Sequence, residues 1–93
     1  MRTVYKYDIE VDDRFTLELP KGAEILKVDM QDNTPRLWAL VNPKHPTEKR
    51  EFRFAGTGHP IEEKNIKYIN TFFTVGMLGN ELVFHIFEIL KGE

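Results

Sequence analysis

Apolar and polar residues alternate with period two along almost the whole 93-residue chain. Successive side chains of a strand point to opposite faces of a sheet, so this spacing is the signature of half-buried β-strands, and no helix of three turns is required anywhere. Tyr5, Tyr7, Ile9 and Val11 alternate with Lys6, Asp8 and Glu10, and Asp12-Asp13 closes the run. Phe15, Leu17 and Leu19 alternate with Thr16 and Glu18 up to Pro20-Lys21-Gly22, a turn in which proline fixes one φ and glycine supplies another. A second strand follows that short loop: Leu26, Val28 and Met30 alternate with Lys27 and Asp29 and end at Asp32-Asn33, residue types that tolerate positive φ in a hairpin.

The returning segment Leu37–Val41 is apolar on both faces, which predicts a central strand with cover on each side. Phe52 and Phe54 share one face of the next strand, opposite Glu51 and Arg53, so the phenylalanines are expected inside and Arg53 in solvent. Gly56-Thr57-Gly58-His59-Pro60 interrupts the pattern, and residues 61–67 fit one helical turn with Glu62 and Glu63 leading and Lys64 and Lys67 trailing. The last third reads as a hairpin: Tyr68–Val75, turn residues Gly76–Asn80, and the two-sided strand Leu82–Leu90. The expected fold is all-β, a small antiparallel sandwich or partly open barrel of about six or seven strands with at most one short helical turn. One domain accounts for residues 1–93, without repeat, linker or low-complexity tract.

Composition narrows the chemistry. The chain holds no cysteine and no serine, which removes disulfides, thiolate metal sites and Ser or Cys nucleophiles together. The N-terminal residues carry charge where a signal peptide needs an apolar run, and no stretch reaches the roughly 18 apolar residues of a membrane span. A soluble cytoplasmic protein is expected. A domain this short buries only about 60% of its unfolded surface, so self-association would help to stabilise it.

Gly56-Thr57-Gly58-His59-Pro60 is the most unusual local feature. Two glycines around a hydroxyl residue permit a concavity of backbone N–H groups for a phosphate or carboxylate, with His59 as an added donor or cation. The same residues also suit a bulged or bent strand end. The segment leading to them carries Lys44, Lys49, Arg50 and Arg53 against Glu48 and Glu51, net +2 in a chain of net charge -2. A small anionic ligand suits that balance, with Arg50, Arg53, Gly56, Thr57, Gly58 and His59 around it and Trp38 or Tyr68 as stacking surface. No metal is expected, because the histidines show neither His-x-His nor His-Glu-x-x-His spacing. His85, inside an apolar strand, reads as a hydrogen-bonded core or interface residue. No catalytic set and no cofactor is read from the chain; the paired acids Asp12-Asp13 and Glu62-Glu63 are expected to be solvated. A pI near 5.9 disfavours nucleic acid as a partner.

In order along the chain, Leu37-Trp38-Ala39-Leu40-Val41-Asn42-Pro43, Gly56-Thr57-Gly58-His59-Pro60-Ile61 and Leu82-Val83-Phe84-His85-Ile86-Phe87-Glu88 resemble a family of small uncharacterised phage and prophage proteins. Val4-Tyr5-Lys6-Tyr7 and Leu19-Pro20-Lys21-Gly22-Ala23 fit the same family. Asn42 stands where an aspartate is expected before the proline, and the hairpin at Gly76–Gly79 is expanded. The resemblance brings no catalytic residue; it implies a setting, a small protein made in the cytoplasm of an infected bacterium. The expected role is a non-enzymatic accessory protein that binds and sequesters or blocks a host molecule, as a homo-oligomer, with a host protein or a nucleotide-like anion as partner. The alternative is a small virion or assembly component; a small hydrolase ranks below both.

Overall fold

A computed structural model describes residues 1–91 of the chain. Seven strands appear in order: β1 (Thr3–Asp8), β2 (Arg14–Pro20), β3 (Glu24–Gln31), β4 (Thr34–Val41), β5 (Thr47–Gly56), β6 (Ile66–Val75) and β7 (Glu81–Ile89). They form two antiparallel sheets, one of three strands in the order β1-β4-β3 and one of four in the order β2-β5-β7-β6. The fold is therefore the small all-β sandwich that the alternation specifies.

Two of the expected turns close hairpins. Asp32 and Asn33 both adopt positive φ (52° and 61°) and return β3 into β4, the geometry of a two-residue hairpin whose twist matches that of its strands. Gly76–Asn80 returns β6 into β7. The Pro20–Ala23 turn does something else. Its Gly22 has φ 81°, and it carries the chain from β2 in one sheet to β3 in the other, so these neighbours in sequence are not neighbours in a sheet.

The core lies between the sheets. Leu37, Ala39 and Val41 of β4, Val28 of β3, Phe52 and Phe54 of β5, Ile86 of β7 and Phe72 of β6 are buried there. Phe54 meets Phe72 and Phe84 edge to face, with centroids 5.8 and 4.8 Å apart, a favourable arrangement of ring quadrupoles. At one side the sheets are tied by Asn70 of β6. Its side-chain amide donates to the Val28 carbonyl (2.7 Å) and accepts from the Val28 N–H (2.8 Å), serving β3 as a missing strand neighbour would.

Three expectations need correction. β4 is central in its sheet, but only one of its faces is covered: Leu37, Ala39 and Val41 are buried while Arg36, Trp38 and Leu40 are half-buried on an outer face without a further layer. Residues 61–65 form no helical turn; one turn fixes many dihedrals for little hydrogen bonding, and here Glu63 is held by arginines instead. Arg53 is not solvated: its side chain is 11% exposed.

Candidate functional site

The two arginines singled out from the sequence lie on opposite faces of β5. Arg50 pairs in register with Leu17 and points inward, where it donates to both carboxylate oxygens of Glu88 (2.5 and 2.9 Å) and to the Ala23 carbonyl (2.7 Å). The hydrogen bonds it donates to Glu88 hold the Arg50 guanidinium above its ordinary pKa against the opposing effect of burial. Arg53 points outward and is also closed off. It donates to Glu63 (3.2 Å) and to the carbonyls of Phe54 (2.8 Å), Pro60 (2.8 Å) and Asp13 (3.1 Å). Arg14 completes the cluster by an ion pair with Glu63. The Glu63 carboxyl sits below its ordinary range, first through its own backbone amide and then through Arg14 and Arg53. Glu63 is thus a half-buried ion-pair partner and not one of a solvated pair.

The Gly56–Pro60 segment is a tight turn at the end of β5. The His59 N–H donates to the Gly56 carbonyl (3.1 Å), and Gly58 has φ 88°. The His59 ring packs flat on Gly56, where a Cβ would come within 3.0 Å of it. Glycine at 58 answers the left-handed backbone, and at 56 it leaves room for the exposed His59 ring, which a side chain there would push aside by a few tenths of an ångström. Gly56, Thr57 and His59 line a shallow hollow of about 290 Å³ with Glu81, Leu82, Val83 and Phe84. Neither arginine lines it, and Trp38 belongs to the other sheet.

Thr57 and Tyr68 are brought together by residues that sequence reasoning did not join to them. The Thr57 hydroxyl meets His85 Nε2 at 2.7 Å, His85 Nδ1 meets the Thr71 hydroxyl at 2.9 Å, and Thr71 meets the Tyr68 hydroxyl at 2.7 Å. A neutral imidazole donates from one nitrogen and accepts at the other, and hydroxyls serve either role, so the chain is satisfied whichever tautomer it takes. It runs along the outer face of the four-stranded sheet. β7 adds Val83, Phe87 and Ile89 to that face, and β6 adds Ile66, Phe73 and Val75. The Tyr68 ring meets Phe87 edge to face at 5.6 Å.

Adjacent phenylalanines show how the strand divides its surface: Phe72 is 3% exposed in the core and Phe73 is 60% exposed on the outer face. Tyr68 is 56% exposed and Val75 72%, and Met77 and Leu78 in the following turn are fully exposed. The register shift at Ile69 makes this possible. One extra residue rephases β6, so that Tyr68 precedes it and Thr71, Phe73 and Val75 follow it on the same face. The β6–β7 part of the face holds no permanently charged side chain between Ile66 and Val75 or Val83 and Ile89 at its outward positions. This is an uncovered apolar surface with a hydrogen-bonded polar thread through it.

Among the described residues no three histidine or carboxylate side chains are grouped to hold a metal ion. No helix of the structure is long and apolar enough to cross a membrane. No curated protein and no solved structure matches the chain. A family model covers residues 1–92, and the chain belongs to that family, DUF7352, a domain of unknown function.

Proposed function

We propose that this chain is a non-enzymatic accessory protein of phage type that acts by stoichiometric binding, holding or blocking a host molecule in the bacterial cytoplasm. The observation that carries the reading is the outer face of β6 and β7, where Tyr68, Phe73 and Val75 are each more than half exposed. Exposed apolar side chains that share one face mark interaction sites, and here two aromatics and a valine do so, followed by the fully exposed Met77 and Leu78 in the turn. A protein surface fits it better than a small anion. Arg50 and Arg53 already spend their charge on Glu88 and Glu63, so the hollow beside Gly56, Thr57 and His59 keeps only an imidazole, with the Glu81 carboxylate on its wall.

A homo-oligomer through the same face is the second reading, favoured by its lack of charge, since interface cores between like subunits are depleted of charged residues. Native mass spectrometry of the protein purified from bacterial cells, compared with Phe73→Asp, tests both. A defined complex with a host protein, lost in Phe73→Asp, supports the first reading; a dimer mass lost in the same variant supports the second. A monomer with nothing bound, and an unchanged infection phenotype in the variant, would refute both. Finding the protein in purified particles would favour a structural component of the virion, and consumption of any compound in a nucleotide mixture would favour an enzyme.

A further inference from the structure

The sandwich has four strand edges, and three are managed. On β3, the Val28 N–H and carbonyl are taken by Asn70 and the register is bulged between Ile25 and Lys27. β6 carries its own bulge between Tyr68 and Asn70, and β2 ends in Pro20, which has no N–H to offer. Bulges, prolines and cover are the usual means of keeping an edge from pairing. β1 has no bulge, proline or cover, only the charges of Lys6 and Asp8: Thr3–Asp8 is regular, paired only with β4, and exposed at every residue but the half-buried Tyr7.

Which amides are free follows from the ladder. The Ile9 N–H donates to the Pro35 carbonyl (3.0 Å) in the same register that pairs Tyr7 with Leu37 and Tyr5 with Ala39. In an antiparallel ladder inward and outward amides alternate, so Val4, Lys6 and Asp8 present theirs away from β4. Beside this edge the partner sheet is incompletely roofed, having four strands against three. Phe15 and Leu17 of β2 are half-buried, whereas Phe52 and Phe54 on neighbouring β5 are 0% and 3% exposed. A hollow of about 340 Å³ lies at this corner, lined by Asp8, Ile9, Glu10, Arg14, Phe15 and Leu17 among others.

We propose that the β1 edge takes one extended peptide segment of a partner protein as an added strand. The segment's inward side chains are apolar and rest toward Phe15 and Leu17; its outward side chains are basic and face the acidic run Asp8, Glu10, Asp12 and Asp13. Charge sets the second preference: Asp8 is bridged to Arg36 and Asp13 lies near Arg53, but both stay largely exposed, Glu10 and Asp12 have no cation partner among the described residues, and the adjacent Arg14 is already paired with Glu63. Backbone bonds supply affinity and the alternating side chains supply selectivity. The surface is separate from the β6–β7 face, so Phe73→Asp leaves it intact.

The probe is a capped peptide of about ten residues alternating valine and lysine, a length that spans β1. Amide exchange is followed by NMR on the intact protein. The expected result is slowed exchange at Val4, Lys6 and Asp8 with Tyr5 and Tyr7 unchanged, and binding about tenfold weaker in Lys6→Pro, which removes one outward N–H and leaves the β4 ladder whole. A valine–glutamate peptide should bind more weakly than valine–lysine. If the peptide fails to bind, protects another edge, or binds Lys6→Pro as well as the unchanged protein while that variant keeps its dispersed spectrum, the proposal is overturned. Protection of the same amides that rises with protein concentration alone would also overturn it, since the occupant is then a second copy. Should Lys6→Pro not fold, Lys6→N-methyl-lysine introduced by peptide ligation removes the same N–H without the ring.

Discussion

Two regions of the four-stranded sheet use their residues in opposite ways. Around β2 and β5 the arginines are each paired with a carboxylate: Arg50 with Glu88 on the inner face, Arg53 and the more exposed Arg14 with Glu63 on the outer. On β6 and β7 the outer face has aromatic rings, branched aliphatics and a histidine held between hydroxyls, and no further layer of the described residues lies over them. The first region spends its chemistry on the fold and the second leaves it available. A basic stretch in a sequence therefore measures charge, and only the placement of its carboxylate partners decides whether that charge reaches a ligand.

The largest test of this contrast removes a carboxylate. Glu88→Ala leaves the Arg50 guanidinium, 17% exposed, without its bidentate partner. Breaking a buried pair from one side costs on the order of 3 kcal/mol, because the remaining charge stays desolvated. For a domain of this size that lowers Tm by roughly 12–24 °C, read by thermal unfolding followed by circular dichroism. A drop of only a few degrees would mean that Arg50 escapes to solvent, and that its charge is available after all.

Asn70→Ala comes next. It strips partners from the Val28 N–H and carbonyl at the one tied edge of the sandwich, and two part-buried groups left unpaired cost about 2 kcal/mol. Chemical denaturation should show the midpoint falling with little change in slope. The same variant should speed amide exchange at Val28, which would then behave like the free edge of β1.

Acid provides the third test. Because the Glu63 carboxyl has a lower pKa folded than unfolded, it contributes stability that is complete above its ordinary value of 4.5. As pH falls below that value the unfolded chain takes up the proton first, and the contribution disappears as pH passes through the folded value. Glu63→Gln should therefore lower stability at neutral pH and flatten the loss between neutral and strongly acidic solution. A parallel pair of stability-against-pH curves, offset but equally steep, would assign the acid sensitivity to other carboxylates.

Most of the fold was legible because alternation reports directly on sheet faces. Phe52 and Phe54, Leu19, and the Asp32-Asn33 turn all lie where period two and turn chemistry put them. Sheet membership was not legible: nothing local distinguishes Pro20–Ala23, which changes sheets, from a turn that closes a hairpin. The candidate site was legible in part. Thr57 and Tyr68 do share a hydrogen-bonded chain, and His85 is held on both ring nitrogens as an apolar strand predicts. Arg50, Arg53 and Trp38 are elsewhere, because ion pairing with Glu63 and Glu88 spans 10 and 38 residues of sequence and no short pattern encodes it. The Ile69 bulge, which sets which β6 side chains face out, is likewise invisible to strict alternation.

The smallest expected effect on stability is the most informative about the uncovered face. Phe73→Ala deletes a ring that is already 60% in solvent and meets no other ring in the core. Surface substitutions of this kind change stability by within about 0.5 kcal/mol, far below the cost at Glu88. Association should respond in the reverse order. An aromatic anchor at the centre of an interface costs about 2 kcal/mol or more when truncated, which weakens binding some thirtyfold. Sedimentation of the purified protein and of its complexes, run for Phe73→Ala beside Glu88→Ala at a temperature where both are folded, separates the two regions. The comparison fails if Glu88→Ala loses association and Phe73→Ala keeps it, for then the face on β6 and β7 is merely tolerated surface.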